Sequence, residues 1–194
     1  MTGLILCGGH SIRMGNDKGL LKPDGITWAQ AAINKLSALQ FSISLSVNVR
    51  QYNNYTGAFD GISIITDNAS LQLKGPLLGV LSAHLQYPLQ DFFVLACDMP
   101  LMETSVLKDL YDLYKQPKQY DAFVYTNDGE PEPLCGIYCA KGLASILNMY
   151  QENKLVRHSM KFMLYHLSVC FIAINDEQKK CFKNFNAHAD LNGE

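Results

Sequence analysis

Residues 4–22 read LILCGGHSIRMGNDKGLLK, and the junction inside them between a short apolar run and a glycine-containing, cationic loop decides the fold. Leu4, Ile5 and Leu6 lie between Gly3 and the Gly8-Gly9 pair, the pattern of a brief buried strand that ends in a tight turn. Glycine at such a turn tolerates positive φ and lets backbone N–H groups approach an anion. Ser11 adds a hydroxyl donor, and Arg13 and Lys18 add cations that would neutralise a polyphosphate. Spacing excludes the better-known phosphate loops: five residues separate Gly9 from Gly15 where a Walker A loop has four, Asn16 follows, and no G-x-G-x-x-G occurs. The loop by itself leaves two readings open, a nucleoside triphosphate cradle or an ordinary strand-to-helix connection with solvated Arg and Lys.

The rest of the chain narrows the class. Its 194 residues suit one domain able to bury roughly 70% of its unfolded surface. Hydrophobic residues at 48% and charged residues at 18% describe a soluble globular protein. A net charge of −2 gives no electrostatic footprint for nucleic acid. The start MTGLILCGG lacks a basic n-region, and nowhere do 18 apolar residues run together, so neither secretion nor membrane insertion is expected and the protein reads as cytoplasmic. Six cysteines (Cys7, Cys97, Cys135, Cys139, Cys170, Cys181) show no C-x-x-C pair, which favours buried thiols over disulfides or zinc. Cys135 and Cys139 would share one face of a strand.

Along the chain, residues 27–39 carry Trp28, Ala31, Ala32, Leu36 and Leu39 at helical spacing, with Thr27 and Gln30 fitting a capping box. Ile43, Leu45 and Val47 alternate with serines in a strand that ends at Asn48. Polar residues 50–60 read as a surface connection, and residues 61–66 as a strand that stops at Asp67. After the turn at Lys74-Gly75-Pro76, Leu77, Leu81 and Leu85 mark a helix. FFVLAC, residues 92–97, is apolar on both faces, as a central strand of a covered parallel sheet would be. Thr104 or Ser105 would cap the helix of Val106, Leu107, Leu110 and Tyr114. Residues 121–126 and 134–140 suit two strands joined through Asn127-Asp128-Gly129, an antiparallel hairpin. Helices over 141–150 and around Met160, Met163, Leu164 and Leu167, a strand SVCFIAI, and a short helix over 187–191 complete the chain. The histidines outside the loop read as ordinary helix residues. The expected fold is α/β: a single-domain open, mostly parallel Rossmann-like sheet with helices on both faces and an antiparallel excursion in the second half.

Ligands of open α/β sheets sit outside the carboxyl ends of the strands. There the sequence places Gly8 and Gly9, Asn48, Asp67 and Asp98. Asp98, directly after an apolar strand, can hold Mg²⁺, a hard cation that takes oxygen ligands and contacts substrate phosphates; the competing reading is a carboxylate that caps the turn before Pro100.

With these residues in view, the chain resembles the nucleotidyltransferase family typified by molybdenum cofactor guanylyltransferase, whose signature is L-x-G-G-x-S-x-R-M-G-x-D-K. LCGGHSIRMGNDK matches it at Leu6, Gly8, Gly9, Ser11, Arg13, Met14, Gly15, Asp17 and Lys18. Asn48, Asp67, the Gly75–Gly79 block GPLLG, and Cys97-Asp98-Met99-Pro100 follow in the family's order, as do NDGEPEPLCGIY and NKLVRHSMKFML. Toward the end the family's Thr-Pro after Asn-x-Asn is missing, although Asn184 and Asn186 are present.

The resemblance implies a nucleotide-diphospho-sugar transferase-like fold and transfer of GMP from GTP to molybdopterin with release of pyrophosphate. It implies that Arg13, Lys18 and Asp98 are catalytic and that Asp98 binds the metal, Mg²⁺. Leu6, Cys7, Gly8, Gly9, Ser11, Lys18, Asn48, Asp67 and Asp98 would bind nucleotide, with Leu6, Cys7 and Gly8 acting through backbone groups. Arg157, Asn184 and Asn186 would contact the acceptor, with a structural cap or a surface charge as the competing role for each. His10 falls at a variable position of the signature and reads as a spectator. Residues 1–100 would form the nucleotide- and metal-binding half and residues 101–194 the acceptor-binding half. GTP and molybdopterin are the implied partners, with room for a protein that delivers molybdopterin, and with neither nucleic acid nor membrane. Alternatives are a related enzyme that uses CTP or a sugar-phosphate acceptor, and an inactive nucleotide-binding regulatory protein.

Overall fold

The apolar run that opens the chain becomes the middle of a sheet. The computed structural model describes residues 1–8, 17–23, 25–116 and 119–185. In chain order the elements are β1 (Thr2–Leu6), α1 (Trp28–Ser37), β2 (Ser42–Val47), α2 (Tyr52–Ala58), β3 (Ser63–Thr66), α3 (Pro76–Gln86) and β4 (Phe92–Ala96). There follow α4 (Thr104–Tyr114), β5 (Ala122–Asn127), β6 (Glu130–Tyr138), α5 (Ala140–Gln151), α6 (Met160–Leu164) and β7 (Val169–Ala173). Short 3-10 turns occupy Lys18–Leu20, Val49–Gln51 and Lys179–Phe182.

Among the described residues, seven strands form one sheet in the order β3-β2-β1-β4-β6-β5-β7. β3, β2, β1 and β4 are parallel, β6 runs against both β4 and β5, and β7 is parallel to β5. The expected antiparallel excursion is thus the β5–β6 hairpin. Its turn carries positive φ at both Asp128 (50°) and Gly129 (84°), which matches the right-handed twist of the flanking strands.

Helices cover both faces. Ile5, Leu45, Phe93 and Leu95 pack with α1, α2 and α4 on one side, and Leu4, Leu6 and Val94 pack with α3, α5 and α6 on the other. Two of the three serines of β2 are buried as well, Ser44 at 3% and Ser46 at 2% exposure, where α3 lies close against the strand. A Cβ on Gly79 would collide with the Ser46 hydroxyl, so small residues on both elements set that close approach.

Several expectations change. Residues 50–60 are not a surface connection: Val49–Gln51 and α2 are helical there, Tyr55 is fully buried, and Gln51 is 9% exposed. Tyr52, Tyr55 and Phe59 stand at i, i+3 and i+7, a helical spacing that the mostly polar composition of the segment obscures. Helix α4 is capped by neither Thr104 nor Ser105; Glu103 is its N-cap residue, and its carboxylate pairs with Lys180 at 2.9 Å. Thr27 does cap α1 through Gln30 N–H, but the Gln30 side chain bonds Asn34 instead of closing the box. Cys139 is the N-cap of α5 and not a strand residue, so it shares no strand face with the buried Cys135. The expected helix at 187–191 lies outside the described residues. No described helix is long and apolar enough to cross a membrane.

His84 on α3 is 2% exposed, and its Nδ1 finds no hydrogen-bond partner among the described residues. Burial holds its pKa below the ordinary value of 6.5, so the folded state favours the neutral ring. A depressed folded pKa contributes stability that is present above the unfolded pKa and lost as pH falls. Between about pH 7.5 and about pH 5, across the ordinary imidazole range, wild type should lose more stability in denaturant titrations than His84→Gln. Equal losses would contradict this.

Candidate functional site

The four parallel strands β3, β2, β1 and β4 deliver Asp67, Asn48, Cys7-Gly8 and Cys97-Asp98 to one edge of the sheet. A cavity of about 360 Å³ opens there between the exits of β1, β2 and β3 and the start of α3. Leu6, Gly8, Asn48, Asp67, Leu73 and Gly79 help to line it. Gly75 (φ 69°) and Pro76 at the head of α3 also border it; Pro76 has no N–H, and the Leu78 N–H donates to the Gly75 carbonyl at 3.1 Å.

On the β4 side of β1, Lys18 Nζ faces Asp98 Oδ2 at 3.5 Å, each side chain 21% exposed. This exceeds the roughly 2.7–2.9 Å of a close charge-assisted bond. The other Asp98 oxygen, Oδ1, is buried and has no hydrogen-bond partner among the described residues. The turn that carries Asp98 is fixed from outside: Lys35 Nζ donates to the Pro100 carbonyl at 2.6 Å, and the Phe185 N–H donates to the Asp98 carbonyl at 3.0 Å. Asn184, next to Phe185, has a buried side-chain oxygen that also lacks a partner among the described residues.

Asp17 holds Lys18 in place. Asp17 Oδ1 accepts from Gly19 N–H at 3.1 Å and from the Tyr55 hydroxyl at 2.8 Å, and Oδ2 accepts from Gln51 Nε2 at 2.6 Å. Burial first, then the neighbouring Cys7, Cys97 and Asp17, push the Tyr55 hydroxyl far above its ordinary pKa, so it remains a donor. Gln51 Nε2 donates to the Cys7 carbonyl at 3.1 Å, and its Oε1 accepts from Asn48 N–H at 2.9 Å. Asn48 in turn caps the 3-10 turn, its side-chain oxygen accepting from Arg50 and Gln51 N–H groups at 3.0 and 3.1 Å.

Several sequence expectations therefore take a different form. Cys7 and Gly8 both donate their N–H groups to the Ser46 carbonyl, at 2.9 and 3.0 Å, so these two donors are committed to the sheet and not to a phosphate. Leu6 is likewise bonded within the sheet, its carbonyl accepting from Cys97 N–H. The Cys7 thiol is buried on the α1/α2 face beside Cys97, away from the cavity wall. Leu6 and Gly8 do border the cavity, with Asn48 and Asp67. Arg157 is exposed on the connection before α6, its guanidinium 5.9 Å over the Phe162 ring. Gly9, Ser11, Arg13 and Asn186 lie outside the described residues. Sequence alone missed the roles of Asp17, Gln51 and Tyr55; the available signals were Asp17 among the matched signature positions and Asn48 followed three residues later by Gln51, a capping-box pattern directly after a strand.

Residues 3–167 match the model of a family described as the MobA-like NTP transferase domain. The chain belongs to this family. Among curated MobA-like relatives, a probable molybdenum cofactor guanylyltransferase of Methanothermobacter thermautotrophicus is 31% identical over 193 residues, covering 96% of this chain and 95% of the relative. The crystal structure of molybdopterin-guanine dinucleotide biosynthesis protein A from Archaeoglobus fulgidus superposes with a TM-score of 0.80 at 21% identity, over 100% of this chain and 96% of that one. A nucleotidyl transferase from Methanothermobacter gives 0.75 at 12% identity, over 99% and 94%. The MobA-like fold is therefore shared with enzymes of nucleotidyl transfer, and this chain is a nucleotidyltransferase of that type.

A Cβ on Gly19 would collide with the Tyr55 hydroxyl. Gly19→Ala should displace that hydroxyl from Asp17 and leave a half-buried acceptor underused, at a cost of about 1 kcal/mol. In Tyr55→Phe the obstacle and the bond vanish together, so adding Gly19→Ala to it should cost little more. Strictly additive losses in denaturation would contradict the contact.

Proposed function

We propose that the protein transfers GMP from GTP to the terminal phosphate of molybdopterin, releasing pyrophosphate and forming molybdopterin guanine dinucleotide. The observation that carries this reading is the opposed Lys18 and Asp98, 3.5 Å apart beside a cavity of about 360 Å³ at the strand exits. The name of the Methanothermobacter relative, at 31% identity, supports guanine and molybdopterin over other bases and acceptors.

In such a transfer an oxygen of the acceptor phosphate forms a bond to the α-phosphorus of GTP. The bond from that phosphorus to the bridging oxygen breaks, and the electron pair leaves with pyrophosphate. The acceptor is already an anion near neutral pH, so no strong general base is required; alignment and charge neutralisation dominate. Lys18, with Arg13, would balance the charge on the triphosphate, and Gly9 and Ser11 would add donors from the same loop. Asn48 and Asp67 would contact the nucleoside against the apolar wall of Leu6 and Leu73. Asn184, adjacent in the fold to Asp98 through Phe185, fits an acceptor contact better than Arg157 does, and Asn186 would follow it. On this reading residues 1–100 hold the nucleotide and residues 101–194 the acceptor.

Asp98 would hold Mg²⁺. Its buried Oδ1, without a hydrogen-bond partner among the described residues, fits a hard cation, and no cluster of three His, Cys, Asp or Glu suited to a metal exists among those residues. A single protein carboxylate completed by substrate phosphates and water is the usual Mg²⁺ arrangement. The ion, when bound, would supply neutralisation of phosphate charge. All six cysteines are free, which suits a reducing cytoplasm.

The test is pyrophosphate release with GTP, CTP, ATP or UTP, with and without Mg²⁺ and molybdopterin. Release should require GTP, Mg²⁺ and molybdopterin together. Asp98→Ala should lower kcat by on the order of 10²–10³ with an unchanged circular dichroism spectrum. Release with CTP alone would overturn the guanylyl assignment, and full activity of Asp98→Ala would overturn the metal assignment.

A further inference from the structure

Gln51 does not line the cavity, yet its amide touches three separate parts of the site. Oε1 accepts from Asn48 N–H at the exit of β2, and Nε2 donates both to the Cys7 carbonyl at the exit of β1 and to Asp17, which caps the turn of Lys18. The side chain is 9% exposed, and both amide hydrogens and the amide oxygen are engaged. Asn48 borders the cavity and Lys18 faces Asp98, so a single buried side chain spans the interval between the two.

We propose that Gln51 is a positioning residue: it fixes the spacing between the cavity that takes the nucleoside and the cation that takes the triphosphate. The inference rests on the reading of the site as a nucleoside triphosphate site. Base and triphosphate are covalently joined, so the second contact of a bound nucleotide becomes intramolecular, and its gain depends on the two subsites being held at the matching separation. Gln51 provides that separation through its length. The Asp17–Tyr55 bond supports it from the other side, because it leaves Asp17 Oδ2 aimed at Gln51.

The length of the side chain can be changed without changing its chemistry. Gln51→Asn keeps every donor and acceptor and shortens the arm by one methylene; Gln51→Met keeps the length and removes the hydrogen bonds. Calorimetry would measure the affinities of wild type and both variants for GTP, guanosine and inorganic tripolyphosphate, with thermal unfolding of each protein alongside. In both variants GTP should bind at least about tenfold more weakly while guanosine and tripolyphosphate change by less than about threefold. For Gln51→Asn, kcat should fall further than the rise in KM, by up to about a hundredfold. Unchanged GTP affinity in both variants would overturn the proposal, as would losses for all three ligands that follow the loss of thermal stability. Wild-type preference for another nucleoside triphosphate would overturn the guanine reading alone, and the same ratio would then be read with that nucleotide and its own nucleoside. Failure of wild type to bind any nucleoside triphosphate would overturn both.

Discussion

Two opposite charges carried by different strand exits must be held close to each other without collapsing into a tight pair. Lys18 and Asp98 meet this condition at 3.5 Å, with one fifth of each side chain still exposed. An ion pair so placed adds little to stability, because solvent screens it and the contact is long. On the proposed function its value is chemical: a cation and an anion set apart at the edge of a sheet would serve a phosphate and a divalent ion respectively. β1 and β4 are adjacent parallel strands in register from Thr2 with Phe92 to Leu6 with Ala96, which fixes where their exits lie.

Maintaining that gap takes several contacts from elsewhere in the fold. Lys35 of α1 and the backbone at Phe185 grip the turn of Asp98. Asp17 grips the turn of Lys18 and is itself held by Gly19, Gln51 and Tyr55. The partners of Asp17 beyond its own turn come from residues 34 and 38 positions away, so the turn of Lys18 is positioned by the segment after β2. Satisfying both Asp17 oxygens is what makes its partial burial tolerable, since a buried carboxylate without donors would be costly.

The sheet and its exits were legible in the sequence because they rest on local signals. Leu4-Ile5-Leu6 and FFVLAC are continuous apolar runs, and each ends in a residue that breaks the pattern. The hairpin was legible from Asp128-Gly129, whose positive φ values the turn requires. Of the site residues, Asp98 stood out as a charge at such a break, and Lys18 as a cation of the glycine-containing loop that follows the first run. Residues 49–59 did not, because VRQYNNYTGAF is mostly polar and the helical spacing of Tyr52, Tyr55 and Phe59 covers only two turns. What buries Gln51 is hydrogen bonding to partners 34 and 44 residues away, and no local pattern encodes that. Ser44 and Ser46 misled in the opposite direction: polar residues alternate as on a wet strand, yet they are buried because Gly79 lets α3 close over them. The commitment of the Cys7 and Gly8 N–H groups to Ser46 follows from the register of β1 with β2, which sequence patterning does not specify.

The central claim is that the space between Lys18 and Asp98 receives the reacting phosphates while the neighbouring cavity receives the base. A crystal structure of the protein with a non-hydrolysable GTP analogue and Mg²⁺ tests it most directly. The account predicts the guanine against Leu6 and Gly79, a phosphate oxygen within hydrogen-bond distance of Lys18 Nζ, and the metal on Asp98. A triphosphate bound elsewhere, with the Lys18–Asp98 contact undisturbed, would contradict it.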